Sequence, residues 1–387
     1  MPSDGGVLAR GAAAARIALD FRSERAGPCL VLLAGLHGDE GAGVKALERV
    51  AHTLSAAKPR ARGRLVGVLG NLRALERGVR YLERDLNRGW CDENVAALRA
   101  REASNDGPED AEQRELLAVL DAIEAEAERP VVFLDLHSTS ADGPPFSCMP
   151  DTLANLRIAL ELPVPAVLGL EETIQGPLLG YLSDLGHGGL FVEGGRHGAP
   201  QTTGVLESCV WVLAAALGVF TSADVPDYGA HWDRLAAFGQ GLPRVLEIRH
   251  VHPTRAGDGF VMRPGFRHYD RVLRGQLVAR DHRGEIRTPR GGRVMMPAYK
   301  PGTDQGFFIA ADIPPLFVWI LFLIRALRLG ALAGALPSAR REAQNPDLIE
   351  VADWVPERLV NVIRLLGWRR AHRGAGRTLL RRRRVRR

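Results

Sequence analysis

The sequence LVLLAGLHGDEGAG, residues 30–43, is the most informative stretch of the chain. It begins with the apolar run Leu30–Leu33 and then passes through glycines into His37, Asp39 and Glu40. Burying charged side chains is costly unless a partner or a metal ion compensates them. An imidazole and a carboxylate at the tip of a buried strand therefore indicate a site that binds a cation.

Other apolar runs along the first two thirds of the chain share this character. They are continuous rather than alternating, which is typical of strands covered on both faces in α/β folds. Candidate strands are 29–35, 63–70, 130–137 and 188–195, and candidate helices are 41–57, 109–128, 151–161 and 203–217. Three of these runs end in polar residues: His37–Glu40, His137–Ser138 and Glu193. Because sites in open α/β sheets lie at the carboxyl ends of strands, we expect these three ends to converge.

The composition is that of an ordinary globular protein: 46% of the 387 residues are hydrophobic and 25% are charged. The four cysteines have no CxxC spacing, which suits a reducing compartment, and the N-terminal sequence shows no signal-peptide pattern. We therefore expect a cytoplasmic protein.

Much of the net charge of +6 lies in the C-terminal sequence RTLLRRRRVRR. We interpret it as a solvated tail and expect no nucleic-acid partner, because no aromatic residues alternate with the arginines. Peripheral contact with anionic lipid stays open as the alternative.

The pattern of the sequence changes at about residue 243, where short β-type runs separated by turn residues begin. We predict a catalytic domain over 1–242, a β-rich sandwich-like or barrel-like domain over 243–312, and a C-terminal α+β extension over 313–387. The extension would hold a linker near PSARREAQNPD, a helix PERLVNVIRLLG and a hairpin about HRGAGR.

An apolar stretch opens the extension, from Leu316 to Ile324, and Arg325 and Arg328 follow it. It is short for a membrane span, and two arginines would be costly in lipid. We predict a buried or interfacial helix and no transmembrane span.

Three residues could form one metal shell. His37 and Glu40 are separated by two residues in a glycine-rich turn, and His137 ends another strand. Two imidazoles and one carboxylate are typical of a catalytic zinc site that keeps a position open for water. Asp135 is placed to accept a hydrogen bond from a ligand imidazole, or only to satisfy backbone amides. Glu193 is the candidate general base, since burial would raise its pKa toward the working range.

The motifs GLHGDE, RDLNRGW, DLHST and FVEGG, in this order, resemble the succinylglutamate desuccinylase/aspartoacylase family, zinc-dependent relatives of the carboxypeptidase A-like metallopeptidases. The resemblance covers about residues 28–312. It implies an α/β fold with a carboxypeptidase-like mixed, twisted sheet, helices on both faces and a small β-rich domain after it. It also implies one Zn²⁺ per chain, held by His37, Glu40 and His137, with Glu193 as the general base.

The resemblance implies further roles in the segment GNLRALERGVRYLERDLNR, residues 70–88. Arg80 would stabilise the developing oxyanion, and Asn87 and Arg88 would bind a substrate carboxylate. A fixed cation at an oxyanion lowers the barrier, and a guanidinium meets a carboxylate as a two-pronged donor. Tyr299, in MMPAYKPG, would contribute to the pocket from the β-rich domain.

Several polar residues near these motifs receive structural interpretations. Arg84 and Asp85 are expected to pair with each other or to cap a turn. His187 and His197 are expected to be surface residues, and we assign no role to Asp39.

Three functions follow from these patterns. The first is a zinc amidohydrolase that deacylates a small N-acylated amino acid or similar amide. The second is a carboxypeptidase-type metallopeptidase acting on peptide or cell-wall substrates, and the third is a catalytically silent binding protein. We predict the deacylase, because the metal and base residues are intact and RDLNR precedes a β-rich segment. The acyl group, the amine product and assembly into a homo-oligomer stay open.

Overall fold

The structure is a computed structural model that describes residues 15–127, 131–255, 257–299 and 304–327, and shorter stretches between 339 and 382. Its strands are β1 Ile17–Arg22, β2 Cys29–Ala34, β3 Arg64–Leu69, β4 Val131–Thr139, β5 Phe146–Cys148, β6 Ala166–Leu168, β7 Gly188–Arg196, β8 Val245–Pro253, β9 Val261–Met262, β10 Arg271–Val272, β11 Leu277–Asp281, β12 Gly284–Arg287, β13 Gly292–Met295, β14 Gln305–Asp312, β15 Ala339–Arg341, β16 Leu348–Ala352, β17 Trp368–Gly374 and β18 Arg377–Arg382. Its helices are α1 Gly41–Ala57, α2 Leu72–Arg77, α3 Asp92–Ala100, α4 Pro108–Glu126, α5 Leu153–Leu160, α6 Leu178–Asp184, α7 Pro200–Ala216, α8 Tyr228–Gly239 and α9 Pro315–Ala326. Short 3₁₀ turns lie at Leu86–Arg88, Ala103–Asn105 and Glu171–Thr173.

Within the described residues, eleven strands form one mixed sheet in the order β1-β3-β2-β4-β7-β5-β6-β8-β14-β13-β10. The four strands predicted from continuous apolar runs are its neighbours β3, β2, β4 and β7, and they pair in parallel. Strands β1 and β5 add antiparallel pairings to this parallel centre. The mixed α/β fold predicted from the sequence is therefore confirmed.

The burial of β2 on both faces of the sheet explains why its apolar run is unbroken. All six of its residues are buried, and successive side chains point to opposite faces of the sheet. Leu30 and Leu32 join a core with residues of α1 and α7, whereas Val31 and Leu33 join a second core with residues of α4. Each face of the sheet is thus covered by helices, and no position of β2 can be polar.

Residues 243–312 contribute strands to two sheets. Strands β8, β14, β13 and β10 continue the large sheet beyond β6, while β9, β11 and β12 form a separate three-stranded sheet. The division of the chain at residues 242 and 243 stays a prediction.

The C-terminal extension contains a four-stranded antiparallel sheet in the order β15-β16-β18-β17. It has its own small core, which includes Ile349, Val351, Trp368 and Leu380. Most of the predicted linker and of the helix PERLVNVIRLLG, the turn of the HRGAGR hairpin and the last five residues of the basic tail lie outside the described residues.

Helix α9 is formed by the apolar stretch that opens the extension. Its Arg325 side chain is buried and forms a two-pronged ion pair with Asp151, with Nη–Oδ distances of 2.6 and 2.8 Å. Across the described parts of the chain, no helix combines the length and the apolar character needed to cross a bilayer.

Candidate metal centre and active site

Glycines bring the first two candidate ligands to the end of β2. Gly35 has a positive φ of 70°, which turns the chain out of the strand, and Glu40 occupies the N-cap position of α1. At Gly43 a Cβ would lie 2.8 Å from the Leu136 carbonyl oxygen, so only glycine lets α1 approach β4 this closely. The close approach carries Glu40 to the end of β4, where His137 lies.

The Glu40 carboxylate connects the two histidines. Its Oε1 lies 2.8 Å from His37 Nδ1, and its Oε2 lies 2.9 Å from His137 Nδ1. The Ser138 backbone N–H donates to Oε2 at 2.9 Å. All three predicted ligands are buried, and one potential ligand atom from each lies within 4.8 Å of the others. The structure thus brings together side chains that are about a hundred positions apart in sequence. We call His37, Glu40 and His137 the candidate metal centre.

The other nitrogen of each imidazole faces a second carboxylate. His37 Nε2 lies 3.0 Å from Asp85 Oδ1, and His137 Nε2 lies 2.8 Å from Asp135 Oδ2. A neutral imidazole carries one N–H, and an ionised carboxylate only accepts hydrogen bonds. If each N–H faces its aspartate, both Nδ1 lone pairs point at oxygens of Glu40. That arrangement is repulsive unless protons or a cation lie between them.

The pKa values of His137 and Glu40 reflect these close contacts. Burial lowers the pKa of His137, but Asp135 and Glu40 outweigh it and raise the pKa well above its usual value. Burial would raise the pKa of Glu40, whereas the nearby imidazoles of His137 and His37 hold it well below its usual value. The centre therefore attracts positive charge strongly, and two nitrogens with one carboxylate are a donor set that suits zinc.

Glu193 lies beside the centre at the carboxyl end of β7, in register with His137 of β4. It is buried, and its Oε2 has no hydrogen-bond partner among the described residues. Burial, and then the charge of Glu40, raise the pKa of Glu193 to about 8. A carboxyl group without a fixed partner and with a raised pKa can take up and release a proton near neutral pH.

Arg80 lies at the centre and is held by Asp85. Its Nε and Nη2 donate to Asp85 Oδ2 at 3.2 and 2.8 Å, and its Nη1 lies 3.7 Å from Glu40 Oε1. Asp85 also accepts the Asn87 backbone N–H at 2.9 Å, which caps the turn as predicted. Arg84, however, pairs with Asp110 instead of Asp85, so that part of the interpretation was wrong.

Asp85 contacts two candidate site residues, an arrangement that the sequence did not predict. It orients a candidate ligand, His37, and a candidate oxyanion donor, Arg80, and its pKa is lowered although burial opposes this, chiefly through its bond to His37. Its position inside RDLNR was the available signal. Turn capping is a local contact, whereas His37 lies 48 residues from Asp85 in the sequence.

Asn87 and Arg88 line the same cavity as the candidate metal centre. Asn87 Oδ1 accepts the Leu178 backbone N–H at 2.8 Å, which fixes the side chain. Arg88 Nη1 donates to the Asn87 carbonyl oxygen at 2.9 Å and lies 3.8 Å from Asp85 Oδ2.

Tyr299 does not lie among the residues that line the cavity. Its hydroxyl donates to the carbonyl oxygen of Phe266 at 2.8 Å, and a second carbonyl, that of Arg263, lies 3.3 Å away. From the same stretch, Met296 and Ala298 line the cavity instead. A role for Tyr299 in substrate binding stays a prediction.

The two histidines that flank β7 differ from their interpretation as surface residues. His187 is buried, with its Nε2 3.3 Å from Glu124 Oε1 and its ring against Phe133. His197 lines the cavity, with its Nδ1 2.8 Å from the Ser138 hydroxyl. The carboxylate of Asp39 also lies in the cavity lining.

The cavity that contains the centre has a volume of about 520 Å³, within the range of small-molecule sites. Part of its wall is apolar and belongs to one core cluster. Leu170 and Phe308 are buried in that cluster, and Phe191 and Met296 pack against it. The cavity therefore combines a polar end, which contains the candidate metal centre, with a packed apolar wall.

Comparison with known proteins agrees with this arrangement. Residues 26–199, which hold every candidate site residue except Tyr299, match the family profile of the succinylglutamate desuccinylase/aspartoacylase catalytic domain. A succinylglutamate desuccinylase of Pseudomonas fluorescens (strain SBW25) is 38% identical over 93 residues. That alignment covers 22% of this chain and 28% of the relative, so the chain matches less than a third of that curated protein.

Two solved structures show the same fold over a longer part of the chain. The succinylglutamate desuccinylase of Vibrio cholerae superposes with a TM-score of 0.54 at 16% identity, covering 77% of this chain and 85% of that one. The product-bound ectoine utilization protein EutE (DoeB) of Ruegeria pomeroyi superposes with a TM-score of 0.54 at 20% identity, covering 76% and 88%. At these identities the likeness establishes the fold alone.

Proposed function

We propose that this chain, whose residues 26–199 match the family profile of the succinylglutamate desuccinylase/aspartoacylase catalytic domain, is a zinc-dependent amidohydrolase. Its substrate would be an N-acyl amino acid or a similar small amide, which it splits into a carboxylic acid and an amine. The coarser assignment, a hydrolase of the deacylase type, follows from the family. The metal, the substrate and the residue roles are the finer part of the proposal.

The arrangement of His37, Glu40 and His137 is the observation that carries the proposal. Two buried imidazole nitrogens point at one carboxylate, while the opposite nitrogens point at Asp85 and Asp135. Carboxylates behind metal-ligating histidines are the usual outer partners in zinc sites, where they fix the ring orientation. A divalent cation would offset the repulsion between the imidazole lone pairs and the carboxylate of Glu40.

Zinc bound by these three residues would supply a Lewis acid that polarises the amide carbonyl and makes a water molecule more acidic. Glu193 would take the proton of the attacking water at Oε2 and pass it to the leaving nitrogen. Its burial supports this role, as does its Oε2, which has no hydrogen-bond partner among the described residues. Arg80 would donate to the carbonyl oxygen as negative charge develops there, because its guanidinium is already held beside the centre.

Asn87 and Arg88 would hold a carboxylate of the substrate. Burial lowers the pKa of Arg88, but a guanidinium stays charged at any working pH. Its charge is only partly balanced by Asp85, which it shares with Arg80. The apolar wall would receive the less polar part of the substrate.

Metal analysis and turnover together test this function. Protein purified with zinc should hold one zinc per chain and release amine from at least one N-acyl amino acid in a panel of acyl groups and amino acids. His37→Ala and His137→Ala should lose both the metal and the activity. His197→Ala, which changes a histidine of the same cavity outside the donor set, should keep the metal.

Two results would contradict the proposal in different ways. If wild type and His137→Ala bind zinc equally, His37, Glu40 and His137 do not form the zinc site. Rapid release of C-terminal residues from oligopeptides, with no turnover of N-acyl amino acids, would assign the same centre to a carboxypeptidase-type metallopeptidase.

A further inference from the structure

Helix α9 presents large apolar side chains to solvent. Its side chains between 40% and 76% exposed, which we call the α9 face, are Leu316, Phe317, Trp319, Ile320 and Leu323, and Leu327 directly after the helix is 59% exposed. Monomeric proteins rarely expose contiguous apolar patches of this kind unless the patch binds something. The α9 face therefore requires a partner.

The helix is held in place by its other side. Leu321 is buried in the main core, and Val318 and Phe322 pack against that core. Arg325 is fixed by its buried ion pair with Asp151, and the Ile313 N–H donates to the Val245 carbonyl oxygen at 3.0 Å. The exposed face is thus a fixed surface of a packed helix.

The segment that carries α9 is also strongly cationic. Residues 313–387 contain 16 arginines and no lysine against five acidic residues, a net charge of +11. The remainder of the chain contains 35 basic and 40 acidic residues, a net charge of −5. Several of the arginines follow one another in the strands of the C-terminal sheet, as in WRRAHRG of β17 and RTLLRR of β18. Apolar exposure and positive charge therefore occur in the same segment of the chain.

We propose that the α9 face docks on the surface of an anionic membrane, with α9 lying in the plane of the interface. A helix with Trp, Phe and Leu on one face, joined to arginines, binds lipid surfaces by burying its apolar side chains and by attracting anionic headgroups. At 12 residues α9 is about 18 Å long, so it lies on a bilayer and does not cross its core of about 30 Å. Trp354 in the same segment is also exposed, so the segment has a second exposed tryptophan besides Trp319.

Charge complementarity favours a membrane over the other occupants. Two copies that met through their α9 faces would bring two segments of +11 together, which opposes self-association. Nucleic acid would attract the arginines but would leave the apolar side chains in water. An anionic lipid surface satisfies both the charge and the apolar face.

Co-sedimentation of the full chain with vesicles tests the proposal. The protein should sediment with vesicles of phosphatidylcholine and phosphatidylserine, much less with phosphatidylcholine alone, and less again at high salt, where the attraction is screened. The double variant Trp319→Ser, Leu323→Ser should bind at least about 10-fold more weakly, because it removes two of the inserted side chains. Trp232→Ser, which changes an exposed tryptophan of α8, is the matched control and should bind like wild type.

Circular dichroism in buffer confirms that each variant is folded. Other outcomes overturn the proposal. Equal sedimentation of wild type and the double variant would show that the α9 face does not bind the vesicles. A dimer in light scattering that the double variant dissociates would assign the face to a second copy. Binding to double-stranded DNA without binding to anionic vesicles would assign the arginines to nucleic acid.

Discussion

The candidate metal centre and the α9 face both depart from the usual distribution of side chains, in opposite directions. At the centre Glu40, Asp135 and Glu193 are charged or ionisable yet almost fully buried. On α9 Trp319 is apolar yet three-quarters exposed. Soluble proteins seldom bury carboxylates without partners and seldom expose apolar patches. We therefore expect each region to bind a partner, a cation at the centre and an apolar surface at α9.

The two regions differ in how sharply they define their partner. The polar atoms of the centre lie at hydrogen-bonding distances, and such contacts have direction and length. They can select one ion in one coordination geometry. The α9 face offers apolar contact, which has no direction and scales with area. It suits a broad, deformable surface better than a small ligand.

The largest expected effect is on the chemistry beside the centre. Glu193→Gln keeps the size of the side chain but removes the proton acceptor, so turnover should fall by about 10²- to 10⁴-fold. Zinc content should stay at the wild-type level, because Glu193 lies outside the donor set. Steady-state kinetics with the best N-acyl substrate and metal analysis of the same preparation provide the measurement.

Glu171→Gln is the control for that experiment. Glu171 is another buried carboxylate in the cavity lining, but its Oε1 accepts the Asp151 backbone N–H, a bond that glutamine can keep. Its turnover should stay within a few-fold of wild type. An equal loss in both variants would mean that Glu193 contributes only to the packing or charge of the cavity.

Much of the centre could be predicted from the sequence, because local patterns encode it. A strand covered on both faces is mostly apolar, so β2 appears in the sequence as an unbroken apolar run and β4 as an apolar run that Asp135 interrupts shortly before His137. The polar residues at their ends, His37, Glu40 and His137, then stand out. Glycines in the turn after β2 mark where the backbones approach closely.

The features that could not be predicted depend on contacts between distant segments. The bond between Asp85 and His37 joins residues whose sequence neighbourhoods give no sign of each other. The same holds for β8 and β14, which extend the large sheet although their own sequences resemble short independent strands. For α9 an apolar run predicts a helix, but only the packing shows which side chains are left exposed.

The ion pair that anchors α9 has the largest expected effect on stability. Arg325→Ala leaves Asp151 as a buried carboxylate without its cation, and breaking such a pair costs about 3–5 kcal/mol of unfolding free energy. Chemical denaturation followed by circular dichroism measures this loss. In Arg99→Ala, which breaks an exposed pair with Asp121, the loss should not exceed about 1 kcal/mol. Similar losses in both variants would show that α9 is not anchored through Arg325.

A smaller effect is expected from the carboxylate behind His37. Asp85→Ala removes the acceptor that orients this imidazole, which should weaken zinc binding by about 10- to 100-fold. Competition with a chromogenic chelator measures the affinity. Asp110→Ala, which removes the partner of the neighbouring Arg84, should leave zinc affinity unchanged. If both variants bind zinc like wild type, the contact between Asp85 and His37 does not support the metal.

The smallest expected effect is that of Leu323→Ala on the α9 face. Leu323 is 58% exposed, so removing its side chain should change the unfolding free energy by no more than about 0.5 kcal/mol. Leu321, two residues earlier on the same helix, is 4% exposed, and Leu321→Ala should cost about 2–5 kcal/mol. Alanine is a good helix former, so neither change weakens the helix itself. A comparable loss in both variants would mean that the chain itself covers the α9 face in solution, leaving no apolar surface there for a membrane.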